Sequence, residues 1–194
     1  MVKIINEIFY YLKKNKTFVI FAFVVVLLGI ILGFVLKINE SFLWFYNNYL
    51  CAYLNFILGI EVSAFAVFIK RILSNAILLI LVGIFSLNKY TVYLNFIILL
   101  YRAFTIGVAG KLLILQSAVT GSVLFLFLIL VQGLFVCFSI VLFFIMIKDK
   151  LSYAKNLICY SVNAFIICFS ISVVGALLEF LFVITLFKPL SLFF

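Results

Sequence analysis

Two ionisable side chains lie inside stretches otherwise suited only to hydrocarbon: Arg102, in YLNFIILLYRAFTIGVAG, and Glu179, in NLICYSVNAFIICFSISVVGALLEFLFVITLF. A charge held within a membrane is costly, so each is by default a candidate for function. Asn75, Asn95, Gln132 and Asn163 add polar groups to the same apolar runs. In hydrocarbon such side chains seek hydrogen-bond partners on neighbouring helices. The set could therefore bridge helices or line a polar path. Hydrolysis would need a nucleophile with a base, a metal, or two carboxylates about 5–10 Å apart. The chain has no histidine, and its acids are Glu7, Glu40, Glu61, Asp149 and Glu179, of which Glu179 alone falls deep in an apolar run. No glycine-rich phosphate loop is present, and Cys51, Cys137, Cys159 and Cys168 form no CxxC pair, so they read as small apolar residues rather than zinc ligands or disulfides. The expectation is a protein that is not an enzyme and takes no cofactor or metal.

Arg102 and Glu179 admit two readings. They could pair in the bundle interior, or Arg102 could snorkel while Glu179 sits at the outer headgroups. At 1.5 Å per residue from the cytoplasmic side, Arg102 lies about 17 Å up its helix and Glu179 about 33 Å. Pairing thus requires a late start of the last span or a bend near Gly175.

Composition places these residues in an all-α, polytopic integral membrane bundle that forms one domain over residues 1–194. Of the 194 residues, 70% are hydrophobic, against about 45–50% in soluble domains. The net charge of +9 would suggest nucleic acid in a soluble protein. Here the lysines cluster beside the spans, as the positive-inside rule expects, so membrane lipid is the expected partner and nucleic acid is not. The apolar run after Lys16 is about 20 residues, too long for a signal-peptide core, and stays as the first span.

Residues 1–16 form a basic lead in which Ile4, Ile5, Ile8, Phe9 and Leu12 recur at helical spacing, as in an amphipathic surface helix. The first span, 17–36, carries Gly29 and Gly33, a GxxxG pair that lets another helix approach closely. Residues 37–71 are apolar but studded with amides and charges. Trp44, Tyr46, Tyr49 and Tyr53 surround a stripe of Asn47, Asn48, Cys51 and Asn55. Trp and Tyr favour the headgroup level, which predicts two interfacial helices broken near Gly59, with a sixth span as the alternative. The remaining spans are 72–87, 91–110, 121–147 and 156–187, making five in all. With the N-terminus inside, eight basic residues (Lys3, Lys13, Lys14, Lys16, Lys89, Lys148, Lys150, Lys155) face the cytoplasm and five (Lys37, Lys70, Arg71, Lys111, Lys188) face out. That bias favours a cytoplasmic N-terminus.

The order of these features resembles the stage II sporulation protein M family of small bacterial membrane proteins. LLGIILGFVL, the 37–71 segment and KRILSNAILLILVGI match the family's glycine-ended first span, its outer segment and an asparagine opening the second span, here Asn75 with Gly83 following. YRAFTIGVAG, with Arg102 and Gly107, is similar to the family's third-span ending. VQGLFV resembles a fourth-span element through Gln132 and Gly133, although Val131 and Val136 stand where the family has proline and glutamate. GALLEF resembles the last-span element through Glu179. The resemblance implies a membrane anchor and scaffold for cell-wall hydrolases, the stage II sporulation proteins D and P, during engulfment of the forespore. Two rivals stand beside it. One is a transporter subunit in which Arg102, Gln132 and Glu179 line a path. The other is a membrane-remodelling factor using the aromatic segment 41–56.

Overall fold

A computed structural model describes residues 2–36, 64–88, 90–116, 122–123, 125–150 and 157–182. Among them six α-helices appear, and five regions are long and apolar enough to cross a membrane: Lys16–Val35, Phe68–Ser86, Thr91–Leu115, Phe125–Lys148 and Tyr160–Phe182. The chain is a multi-pass, all-α membrane protein.

The first helix, α1 (Val2–Lys14), is amphipathic as its spacing predicts. Ile8, Tyr11 and Leu12 pack against the core, while Phe9 and Tyr10 point away from it. Asn15 ends the helix: its amide donates to the Tyr11 carbonyl (3.2 Å), and its own carbonyl accepts the Phe18 and Val19 N–H groups at the start of the next helix. Tyr160 donates its hydroxyl to that of Tyr11 at 2.9 Å, and the Lys148 ammonium lies 4.0 Å over the Phe18 ring. The Tyr160–Tyr11 bond fastens α1 across one end of the bundle, hereafter the proximal end.

The second helix, α2 (Lys16–Val35), is apolar all round, yet only Ala22, Val26, Gly29 and Gly33 are buried. That stripe of small residues meets α4 (Asn95–Gln116), which runs parallel to it. A Cβ on Gly29 would stand 2.6 Å from Ala103 Cβ; one on Gly33 would stand 2.5 Å from the Phe104 carbonyl oxygen and 2.8 Å from Gly107 Cα. The GxxxG pair thus serves packing within the chain, backbone against backbone. At the distal end, Lys111 of α4 donates to the Leu36 carbonyl (2.9 Å), capping the C-terminus of α2 with a cation.

The third helix, α3 (Ala64–Ser86), turns into α4 through a 3-10 turn at Thr91–Leu94. Polar groups close this proximal corner. Asn95 donates its amide to the Ser86 hydroxyl (2.7 Å), which itself donates to the Val82 carbonyl (2.7 Å), and Thr91 donates to the Phe85 carbonyl (2.7 Å). Ser86→Ala is expected to cost about 1–3 kcal/mol, because it strands the buried amide nitrogen of Asn95. Asn95→Leu should cost less, since it removes the amide outright. Unfolding titrations in mixed micelles check that order.

A π-helical turn at Phe125–Leu130 leads into α5 (Val131–Lys150), the most enclosed helix. Val136, Ile140, Leu142, Phe143, Ile145 and Ile147 are all buried, as expected of a helix surrounded by others. The last helix, α6 (Leu157–Phe182), packs on α5 and α3 through a narrow face of Ala164, Cys168, Ser172, Gly175, Ala176 and Glu179.

Several boundaries differ from the sequence expectation. The helix of the second span begins at Ala64, inside the stretch read as interfacial, so Lys70 and Arg71 belong to α3. The third span's helix continues to Gln116 through residues read as a loop. By sequence, lysine and arginine read as span boundaries, but here they hold partners in the helix, the Leu36 carbonyl for Lys111 and Glu179 for Arg71. Trp44, Tyr46, Tyr49 and Tyr53, the interfacial helices and the alternative sixth span lie outside the described residues.

Candidate functional site

Near the distal end, α3 and α6 run antiparallel and bring Arg71 and Glu179 together. The guanidinium Nη2 lies 3.5 Å from the carboxylate Oε1, with the side chains 21% and 6% exposed respectively. Arg71 follows the span start at Phe68 by three residues, and Glu179 precedes the span end at Phe182 by three. At 1.5 Å per residue both sit about 4.5 Å inside, at the boundary between headgroups and hydrocarbon. Phe68 and Phe180, ring centroids 5.4 Å apart, flank the pair.

One turn deeper on α3, on the same face as Arg71, lies Asn75. Its side chain is fully buried, and among the described residues neither its amide nitrogen nor its oxygen has a hydrogen-bond partner. The next residues on this face, Leu79 and Val82, are fully buried and apolar. A second polar contact joins α4 to α5: Arg102, near the middle of its span, donates Nη2 to the Gln132 Oε1 at 3.5 Å. Gln132 is 2% exposed, and its Nε2 has no hydrogen-bond partner among the described residues.

Glycines set the spacing that makes these contacts possible. A Cβ on Gly133 would strike the Ile106 side chain, so its absence holds α5 close to α4 beside Arg102 and Gln132. A Cβ on Gly175 would stand 2.6 Å from Phe135 Cβ and 3.6 Å from the Gln132 carbonyl oxygen. Gly175 therefore lies at the level of Gln132, and Glu179 is the next turn on the same face of α6. Gln132 therefore lies about one helical turn, roughly 5–6 Å, from Glu179 along the bundle.

Of the residues singled out from the sequence, Arg102 and Gln132 are brought into contact, Glu179 meets Arg71, and Asn75 follows Arg71 by one turn on α3. Asn95 goes to the opposite corner, bonded to Ser86, and Asn163 faces outward. Gly29, Gly33 and Gly107 belong to the α2–α4 seam. By sequence, pairing and separate placement are both open to Arg102 and Glu179; in the structure Glu179 forms an ion pair with Arg71, and Arg102 donates to Gln132. Depth is the reason, since Arg102 is mid-span, Glu179 is near a span end, and α6 continues unbroken through Gly175. The charge of Arg71 reads in sequence as a span boundary, not as part of a site. Its spacing of four residues from Asn75 was the available signal.

Among the described residues, no three His, Cys, Asp or Glu side chains converge as a metal site would require. Comparison with protein-family models, curated proteins and solved structures found no match. Chemically, the arrangement ties α3 to α6 through opposite charges and α4 to α5 through a guanidinium and an amide. On the proximal side it is closed by Leu79, Val82, Ile140 and Phe143, all buried.

Proposed function

We propose that this chain is a non-enzymatic membrane anchor and scaffold of the bacterial plasma membrane, with its N-terminus in the cytoplasm. In this reading the bundle presents residues 37–63 to membrane-anchored partners outside. Its likeness in sequence order to the stage II sporulation protein M family makes cell-wall hydrolases, the stage II sporulation proteins D and P, the partners to test, in forespore engulfment. The observation that carries the reading is the Arg71–Glu179 ion pair joining α3 to α6 above an apolar layer. An ion pair across α3 and α6 favours a fixed arrangement of those two helices. Charge placement supports the orientation: Lys13, Lys14, Lys16 and Lys148 gather at the proximal end, where α1 lies.

A transporter subunit is the second reading, favoured by the buried amide of Asn75 and by that of Gln132, which accepts from Arg102. Photo-crosslinking in native membranes separates the two, with a reactive residue placed along 41–56. Recovery of cell-wall hydrolases is the expected result. Recovery of an ATPase or permease subunit would overturn the scaffold and send attention to Arg102, Gln132 and Glu179 as a path.

A further inference from the structure

Tyr101 on α4 sits where tyrosine is not expected. Tyrosine favours the headgroup level, and the other strongly exposed tyrosines among the described residues obey that rule. Tyr10 on α1, and Tyr90 and Tyr93 at the turn into α4, all lie at the proximal end. Tyr101 is 63% exposed, yet ten residues separate it from Thr91, where its span begins. Another ten separate it from Lys111, whose ammonium caps α2 at the distal end. At 1.5 Å per residue it is about 15 Å from either level, in the middle of a hydrocarbon core about 30 Å thick. Helical side chains lean toward the N-terminus, but a phenol cannot bridge that distance to the headgroups. The Tyr101 hydroxyl has no hydrogen-bond partner among the described residues. A hydroxyl placed in hydrocarbon without a partner is costly, and in membranes such groups are used to hold one helix to another.

The surface around this hydroxyl is apolar and bounded. Leu94 and Ile97, seven and four residues earlier, share its face and are exposed. One turn further on, Thr105 donates its hydroxyl to the Arg102 carbonyl at 2.7 Å, and beyond it Val108 and Leu112 are buried. The stripe thus covers the proximal half of α4 and stops near mid-membrane. It carries no charge, since Arg102 donates to Gln132 on α5.

What can meet a hydroxyl at this depth selects the occupant. Lipid tails offer no acceptor there, and a foreign helix would need a polar group that happens to lie at the same level. A second copy has one by construction. Insertion gives every copy the same orientation, so a twofold axis between copies runs along the membrane normal and sets each residue level with its equivalent. A tyrosine hydroxyl both donates and accepts, so two can satisfy each other, as Tyr160 and Tyr11 do at 2.9 Å within the chain. Because the stripe is uncharged, two chains of net charge +9 can meet along it without setting cation against cation there.

We propose that Leu94, Ile97 and Tyr101 form the contact surface for a second copy of this chain, with the two Tyr101 hydroxyls hydrogen-bonded across the axis. The inference goes beyond the scaffold reading and does not rest on it.

The test uses the full chain in liposomes, labelled at the C-terminus and diluted with lipid, with two-step photobleaching as the measure of self-association. Tyr101→Phe keeps the ring and loses the hydroxyl at a position facing lipid. It is expected to weaken association by about 3- to 20-fold, the range of interhelical hydrogen bonds in membranes. Oxidative crosslinking then locates the surface, because a disulfide forms only where Cα atoms approach within about 7 Å. Leu94→Cys and Ile97→Cys, each with Tyr101 intact, should give covalent dimers well above the background set by the four native cysteines. Ile77→Cys, on the exposed face of α3, should not. Adding Tyr101→Phe to Ile97→Cys should lower the yield. The proposal is overturned if the chain bleaches in one step at every dilution, or if Tyr101→Phe associates as tightly as the unsubstituted chain. It is equally overturned if Ile77→Cys crosslinks as well as Ile97→Cys, or if Ile97→Cys in native membranes joins a different protein instead of its own copy.

Discussion

Gly33→Leu is expected to abolish most of the folded protein while Gly83→Ala leaves it nearly intact. At Gly33 even a methyl group would lie 2.5 Å from the Phe104 carbonyl oxygen, 2.7 Å from the Val108 nitrogen and 2.8 Å from Gly107 Cα. All three are backbone atoms of α4, so relief requires moving one helix away from the other along the whole seam. Overpacking typically costs about 1–3 kcal/mol and occasionally more. With rigid backbone opposite and four heavy atoms added, Gly33→Leu belongs at or above the upper end of that range. Gly107→Leu should behave alike, because a Cβ there would strike the Ile30 carbonyl. At Gly83 the atoms met are the Cε1 and Cζ of Phe143, at 3.2 and 3.3 Å, and a ring edge can give by a few tenths of an ångström. Size-exclusion recovery and unfolding in mixed micelles measure both variants. If Gly33→Leu yields a stable, well-folded monomer in place of a larger species, the GxxxG pair is an oligomerisation surface and the seam within the chain is disproved.

The second large effect concerns Arg71 and Glu179. Arg71→Leu removes the cation facing a carboxylate that is 6% exposed. Breaking a buried pair from one side costs about 3–5 kcal/mol, because a charge is left behind in a low-dielectric setting. Glu179→Leu should cost less. The remaining guanidinium belongs to a side chain 21% exposed and about one turn from the span end, and can turn toward the headgroups on its long stem. The exchange Arg71→Glu with Glu179→Arg is expected to restore much of the loss, and the exchange Arg102→Glu with Glu179→Arg is not. Membrane-inserted yield and unfolding midpoints of the singles and both doubles decide the matter. Rescue by the Arg102 exchange would show that the partner assigned to Glu179 is wrong.

The contrast between these two predictions reflects what each level of structure controls. Helical class and five spans were legible because hydropathy over about 20 residues is a local property, and in a membrane only helices or closed barrels satisfy the backbone. The facing of α1 was legible for a similar reason, since Ile8 and Leu12 recur at the helical period. Gly29 and Gly33 announced a close approach but not to what: the α2–α4 seam joins helices separated in sequence by α3. Asn75, Arg102, Gln132 and Glu179 could be named as costly polar residues from type and setting alone. Which of them meet depends on helix order, direction and depth. Those are properties of packing, where glycines at 133 and 175 set the separations. Arg71 shows the limit most plainly. Its charge reads locally as the end of a span, whereas in the fold it lies within α3 and faces Glu179 on α6. Local composition thus determined the membrane-spanning helices and the inventory of polar groups, while the tertiary structure alone decided the partners, because the energy of a buried charge depends on what lies within a few ångströms of it.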